Sequence, residues 1–144
     1  MSDHTPGRLR SVLRLARRHE ESALRESAAT VRRVADAGRA ADEAAGRISE
    51  VREEQPATGG DLTAHRQRAL LRAEQARVAE AELAEKLYEQ VTARNELLGA
   101  VRRRRSIEEL EQRRLATQAG LAAHAAQRAL DELAAVRRAR KRES

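Results

Sequence analysis

The sequence predicts an all-α protein folded as a long antiparallel two-helix coiled-coil hairpin. The 144 residues include no Phe, Trp or Cys, a single Tyr and about thirty Ala. The chain therefore lacks the large side chains that usually fill a globular core. Charged residues make up 36% of the chain, and the apolar residues recur at helical spacing, which is typical of long helices paired lengthwise. One coiled-coil domain, residues 1–144, is expected for this length.

Two groups of helix-breaking and capping residues set the predicted boundaries. Thr5 is expected to cap the first helix and Pro6 to begin it, because proline is favoured at the first helical position. In the middle, residues 55–61 (QPATGGD) combine a proline, two glycines and an Asp suited to capping the next helix. We predict helix 1 over about residues 6–54, a turn over 55–61, and helix 2 over about 61–140, followed by a basic tail.

Heptad spacing predicts which residues form the seam between the helices. In helix 1 the predicted seam contains Leu9, Leu13, Leu24, Val31, Val34, Gly38, Ala41, Ala45 and Ile48. In helix 2 it contains Leu87, Val91, Arg94, Leu98 and Val101, and then Ala119, Ala123, Ala126, Leu130 and Leu133. The register slips between these two stretches, which suggests stutters. The last third of helix 2 is expected to project beyond helix 1 or to pair with a partner.

The positive charge is concentrated at one end of the sequence. Residues 1–98 carry 17 Lys/Arg and 17 Asp/Glu, whereas residues 99–144 carry 12 and 6, so the second segment holds the entire net charge of +6. Its densest runs are residues 102–105 and 137–142. A basic end favours an acidic protein surface, a nucleic acid or an anionic membrane. Nucleic acid is the weaker option, since the basic runs contain no aromatic residues to stack on bases. A solvated helix surface is the plain structural alternative.

No pattern of catalytic or ligand-binding residues is visible. The sequence has no Gly-rich phosphate loop, no nucleophile elbow and no metal-ligand spacing, and its histidines at 4, 19, 65 and 124 are far apart. We therefore expect no enzyme activity, no cofactor, no metal site and no small-molecule substrate. No secretory signal is visible, and the longest uncharged run, residues 115–127, is shorter than the ~20 residues of a membrane span. The absence of cysteine fits a cytoplasmic protein.

Three segments of the chain carry a family resemblance. Residues 8–23 (RLRSVLRLARRHEESA) resemble the opening of the flagellar export protein FliJ family. Residues 107–114 (IEELEQRR) resemble a charged block of that family, and residues 130–134 (LDELA), followed by basic residues, resemble its terminal signature. The order and positions of the three together are more specific than any one of them, and the resemblance covers nearly the whole chain.

The resemblance implies a non-enzymatic stalk and adaptor of the flagellar type III protein export apparatus, required for flagellar assembly and motility. FliJ proteins resemble the central stalk of rotary ATPases, associate with the export ATPase FliI and its partner FliH, contact the membrane export gate FlhA, and handle export chaperones. The chain would then be cytoplasmic and peripheral at the membrane. The residues implied in ATPase binding are Leu9, Leu13, Leu130, Leu133, Arg137, Arg138 and Arg140. Those implied in gate binding, at the hairpin end, are Ala41, Ala45, Ile48, Leu70, Leu71 and Val78.

Three other functions stay open at this stage. The corresponding stalk of an injectisome-type secretion system would share the fold and is barely separable by sequence. A basic coiled coil that binds nucleic acid or an anionic membrane would show salt-sensitive binding. A coiled coil that only self-associates, through the uncovered part of helix 2, would show a size that depends on concentration.

Overall fold

The computed structural model describes residues 6–142 and contains two α-helices, α1 (Pro6–Glu53) and α2 (Gly59–Arg142). The helices pack against each other in antiparallel directions, which confirms the predicted all-α hairpin. No residue between 6 and 142 lies in a β-strand. The chain divides into two compact units. We call residues 18–101 the hairpin unit, because they contain the turn, and residues 6–17 with 102–142 the terminal unit.

The turn between the helices is shorter than predicted, and a different residue caps α2. Residues 54–58 connect the helices. The Thr58 hydroxyl accepts a hydrogen bond from the Asp61 backbone N–H at 3.1 Å, and the Thr58 carbonyl accepts one from Leu62 N–H at 2.9 Å. Thr58 is therefore the N-cap, and Asp61 lies in the first turn, where its charge favours the helix N-terminus. The predicted Thr5 cap lies outside the described residues.

In the hairpin unit, covered residues follow an unbroken heptad in both helices. The steps of this stripe alternate between four and three, and a few further half-buried residues flank it, namely Ala29, Gly38, Glu89, Gly99 and Val101. On α1 the covered positions are Glu20, Ala23, Ser27, Thr30, Val34, Ala37, Ala41, Ala44, Ile48 and Val51. On α2 they are His65, Ala69, Arg72, Ala76, Ala79, Leu83, Lys86, Gln90, Ala93, Leu97 and Ala100. The seam is built mainly from small side chains, which let the helices approach closely but bury little apolar area per residue.

The predicted seam register was therefore partly wrong. On α1, Val34, Ala41 and Ile48 are seam residues as predicted. The predicted positions that are exposed beside the seam are Leu24, Val31 and Ala45 on α1 and Leu87, Val91, Arg94 and Leu98 on α2, each next to a covered residue, whereas Gly38 and Val101 are half-buried. Two stripes one residue apart both satisfy the heptad. The stripe with larger apolar residues flanks the contact, and the stripe rich in Ala forms it.

In the terminal unit, the first turns of α1 cover only part of α2. Leu9, Leu13 and Ala16 are half-buried on α1, and Glu111 is the most covered residue on the facing part of α2. From residue 115 to 142 every residue is exposed except the half-buried Ala134. The seam predicted at Ala119, Ala123, Ala126, Leu130 and Leu133 is thus absent, because no part of residues 6–142 packs over it.

Candidate interaction surfaces

Two glutamates of α2 join the helices in the terminal unit. Arg17 Nη2 donates to Glu108 Oε1 at 3.2 Å, and Arg104 Nη1 donates to Glu108 Oε2 at 2.6 Å. One turn further on, Glu111 accepts two hydrogen bonds from Arg114, at 2.9 and 3.0 Å. These bonds hold the pKa of the Glu111 carboxyl below its ordinary value. Both glutamates are thus committed to pairs within the chain.

Arg10 is the second connection from α1 to this cluster. Its Nε lies 3.9 Å from Glu111 Oε1, too far for a hydrogen bond. Its charge nevertheless acts in the same direction as Arg114 and lowers the pKa of Glu111 further. The Glu111 side chain is only 11% exposed, so water screens these charges less than it screens a pair on the open surface.

A second ionic cluster lies beside the turn in the hairpin unit. Arg68 Nη2 donates to Glu54 Oε2 at 2.9 Å, and His65 Nδ1 lies 3.6 Å from the same oxygen. The hydrogen bond from Arg68 lowers the pKa of the Glu54 carboxyl, and His65 adds a smaller effect in the same direction. Glu54 follows α1 directly and both partners belong to α2, so the cluster ties the two ends of the turn together.

The structure separates the residues predicted to bind an ATPase into two groups. Leu9 and Leu13 are half-buried against α2. Leu130 and Leu133 are 60% and 58% exposed, on the part of α2 that α1 does not cover. Leu130 follows Glu111 by 19 residues, about 28 Å along a straight helix. The structure does not bring the two leucine pairs together.

The three predicted arginines lie near the end of α2. Arg137, Arg138 and Arg140 are all exposed. Successive residues on a helix point about 100° apart, so Arg137 and Arg138 face different directions while Arg137 and Arg140 share a side. With Lys141 and Arg142 they make the last turns of the described helix positive on most sides, which favours any acidic surface that can surround a helix end.

The residues predicted to bind an export gate are spread over both helices of the hairpin unit. Ala41 and Ile48 are half-buried seam residues, and Ala45 is exposed beside them. Leu70, Leu71 and Val78 are 72%, 56% and 59% exposed. The three α2 residues therefore present apolar surface to solvent, whereas Ala41 and Ile48 contribute to holding the hairpin closed.

Sequence reasoning missed the ionic clusters and an asymmetry between the two sides of the hairpin unit. Finding the clusters requires knowing which α1 residue faces which α2 residue, and charge counts do not give that. Within residues 6–142 there is no group of three or more His, Asp or Glu side chains arranged to hold a metal ion. In the same part of the chain neither helix contains a stretch apolar enough to cross a membrane.

No protein-family model, curated protein or solved structure matches this chain. The fold and the surfaces described above are therefore the basis for the functional proposal.

Proposed function

We propose that this chain is a non-enzymatic stalk and adaptor of the flagellar type III protein export apparatus. The observation that carries the proposal is the uncovered end of α2, where residues 115–142 continue as a helix with exposed leucines and a positive last segment. A helix of this kind suits insertion into a ring whose inner surface is acidic. The resemblance of residues 8–23, 107–114 and 130–134 to the FliJ family is the reason for proposing the flagellar export apparatus in particular.

The proposed partners divide between the two units. The export ATPase FliI, with FliH, would bind Leu130, Leu133 and the arginines at 137, 138 and 140, and Leu9 and Leu13 would hold α1 against the base of that segment. The export gate FlhA would bind near the turn, through the exposed Leu70, Leu71 and Val78 together with Ala45. Export chaperones complete the set, and the chain would act in the cytoplasm at the inner face of the membrane.

The first test is ATP hydrolysis by the export ATPase of the same organism, titrated with this protein. The proposal expects a saturable rise in rate together with ring formation. Arg137→Glu, Arg138→Glu and Arg140→Glu combined should abolish both effects, because the reversed charges would repel an acidic ring surface. No stimulation and no co-elution with the ATPase at low salt would reject the proposal.

A matched control separates the site from general charge effects. Arg47→Glu, Arg52→Glu and Arg66→Glu combined change the net charge by the same amount. All three residues are exposed in the hairpin unit, away from the proposed ATPase site. This variant should stimulate the ATPase as the unmodified chain does. Equal loss in both variants would assign the effect to net charge rather than to the end of α2.

The stalk of an injectisome-type secretion system would use the same fold and the same surfaces. The two systems differ in which export ATPase the chain stimulates, so the titration is repeated with an injectisome ATPase. Stimulation of that enzyme alone would favour the injectisome system, and flagellar genes beside the coding sequence would favour the flagellar one.

The exposed positive segment at residues 137–142 also favours a second candidate, binding to nucleic acid or an anionic membrane. Such binding is driven by release of counterions, so it should weaken steeply between about 50 and 200 mM salt. The measurement is retention of labelled duplex DNA and of vesicles containing phosphatidylserine over that salt range. Retention at low salt that is lost over that range, without any effect on the ATPase, would favour this candidate over the stalk.

A further inference from the structure

The two sides of the seam in the hairpin unit differ in chemistry. On one side lie residues that precede seam positions, and in the middle of the unit several of these are charged. Glu26 and Arg33 of α1 line one shallow depression together with Glu89 and Glu96 of α2. Because all four residues precede a seam residue, this depression identifies one side of the antiparallel pair. Residues that follow seam positions lie on the other side.

That other side carries large apolar residues that lie beside the seam rather than in it. We call Leu24, Val31, Leu87, Val91 and Leu98 the apolar face. Each follows a seam residue, and they are 57%, 51%, 45%, 57% and 46% exposed. Monomeric proteins rarely expose contiguous apolar side chains in such number unless a partner covers them. Both helices contribute residues to the face, so a third helix packed on it would contact α1 and α2 at once.

The border of the apolar face is mainly positive, and the carboxylates that also follow seam residues, Glu21, Asp42 and Glu80, lie beyond its ends. On α1 the arginines at 25, 32 and 39 follow one another at heptad spacing directly beside Leu24, Val31 and Gly38. On α2, Arg94 lies between Val91 and Leu98. Between residues 24 and 39, and between residues 84 and 101, no Asp or Glu lies at a position that directly follows a seam residue.

The arginines of this border differ in whether they form an ion pair with a carboxylate of the same chain. Arg25 lies 3.5 Å from Glu21, and Arg39 pairs with Asp36. These are exposed pairs on the surface of α1, of the kind that contributes little to stability. Arg32 and Arg94 make no ion pair with the described residues. The middle of the face therefore has two cations available to a partner.

We propose that the apolar face binds an amphipathic α-helix of a partner protein, with acidic residues along the flanks of its apolar stripe. Leucines or similar residues at steps of three and four would pack between Leu24 and Val31 on one side and Leu87, Val91 and Leu98 on the other. Glutamates or aspartates beside that stripe would meet Arg32 and Arg94.

A second copy of this chain is a poorer occupant of the face. The uncovered part of α2, residues 115–142, offers apolar residues, but its charges are mainly positive and would meet Arg32 and Arg94 with repulsion. The face belongs to residues 18–101, and none of its residues is part of the proposed ATPase-binding segment. The proposal therefore stands or fails separately from the export function.

The test uses the full chain and two synthetic peptides of about 21 residues. Both carry Leu at a and d positions of three heptads, and one carries Glu on the flanking positions while the other carries Lys. Fluorescence anisotropy measures binding of each labelled peptide. The acidic peptide should bind and the basic peptide should not. Raising the salt should weaken the acidic complex, because its border contacts are ionic.

Variants locate the binding site on the chain. Leu87→Gln with Leu98→Gln should lower the affinity for the acidic peptide by about tenfold or more, the loss expected when two apolar contacts are removed. Arg32→Glu should also weaken it and flatten the salt dependence. The control, Val12→Gln with Leu15→Gln, changes two exposed apolar residues of the terminal unit and should bind normally. Circular dichroism checks that each variant retains its helix content.

Three outcomes would overturn the proposal. The first is that neither peptide binds the unmodified chain. The second is that the basic peptide binds as well as the acidic one, or that the control variant loses as much affinity as the double variant in the face. The third is self-association in sedimentation experiments that Leu87→Gln with Leu98→Gln abolishes while no peptide binds, which would make a second copy the occupant.

Discussion

Arg17 of α1 and Glu108 of α2 are joined by a 3.2 Å hydrogen bond, although 91 residues separate them along the chain. Glu108 also accepts a 2.6 Å bond from Arg104 on its own helix. The pair therefore fixes which residue of α1 faces which residue of α2 in the terminal unit. It also provides a direct way to measure how firmly the start of α1 is held.

Removal of Arg17 should have a small effect. Arg17→Ala is expected to lower the free energy of unfolding by no more than about 1 kcal/mol, since its side chain is 59% exposed and such pairs are weak. Glu108→Ala should cost more, because it removes the partner of two arginines. A double-mutant cycle followed by urea unfolding measures the coupling between Arg17 and Glu108. A coupling that does not shrink when salt is raised would contradict this account.

Two adjacent leucines test the seam register. Leu97 lies in the seam and Leu98 is 46% exposed beside it. Leu97→Ala should destabilise the hairpin by about 1–2 kcal/mol, as expected for a partly covered leucine. Leu98→Ala should change stability by no more than about 0.5 kcal/mol. Chemical unfolding of the two variants under identical conditions gives the comparison, and a larger loss at Leu98 would show that the seam runs one residue later.

Glycines inside α1 lower its stability. Gly38 and Gly46 lie in the helix, have helical backbone angles, and would meet no atom within 4 Å if a Cβ were added. Gly38→Ala and Gly46→Ala should each raise the free energy of unfolding by about 0.5–1 kcal/mol, because Ala restricts the unfolded chain and favours the helix. Thermal unfolding measures the gain. A loss at either position would indicate a packing contact that the structure does not contain.

Thr58 should be the residue that sets the start of α2. Thr58→Ala removes the hydroxyl that accepts the Asp61 N–H and should cost about 0.5–2 kcal/mol. Thr58→Ser and Thr58→Asp keep an acceptor and should be close to the unmodified chain. If Asp61→Ala proves more damaging than Thr58→Ala, the cap assignment is wrong.

Acid should weaken the hairpin through Glu54 and Glu111. The pKa of each carboxyl is lowered in the folded chain, chiefly by hydrogen bonds from Arg68 and Arg114 respectively. A lowered folded-state pKa means that stabilisation is fully present above the unfolded pKa, about 4.3, and is lost as pH falls through the folded value. Melting temperatures recorded from pH 7 to pH 3 should therefore fall at the acid end.

Substitutions identify the groups responsible for that fall. Glu54→Gln and Glu111→Gln combined should reduce the dependence of the melting temperature on pH, because neither amide titrates. Glu43→Gln changes an exposed α1 glutamate that makes no ion pair with the described residues, and it serves as the control. A pH dependence that is the same in all three proteins would show that other carboxylates cause the acid effect.

The fold could be predicted from sequence because its determinants are local. The alanine content and the charged surface favour long helices, and the helix-breaking residues at 55–61 place one reversal between them. The cap was harder, because Thr58 and Asp61 are both favourable capping residues and lie three positions apart. In the structure the cap is Thr58, and Gly59 and Gly60 are the first residues of α2 rather than part of the turn.

The register could not be predicted from periodicity alone. Leu87 and Leu98 satisfy the heptad as well as Lys86 and Leu97 do, and hydrophobicity favours the wrong pair. The correct choice depends on how closely the two helices can approach, which is set by the side chains of both helices together. Ala93 and Ala100 are small enough to allow the contact, and the long side chains of Arg72 and Lys86 are half-buried beside it. The pairs made by Glu54, Glu108 and Glu111 depend on the same unknown alignment.

The single helix α2 is stabilised in two different ways along its length. Up to about residue 114 its backbone is shielded by α1, whereas from 115 to 142 it relies on the high helix propensity of alanine and its neighbours. Heating should consequently unwind the exposed segment gradually, over a broad temperature range, and melt the shielded part in a sharper step. Amide hydrogens in the exposed segment should exchange with solvent long before those near Ala76 or Ala93. One continuous helix thus combines a permanent framework with a segment whose order a binding partner can still complete.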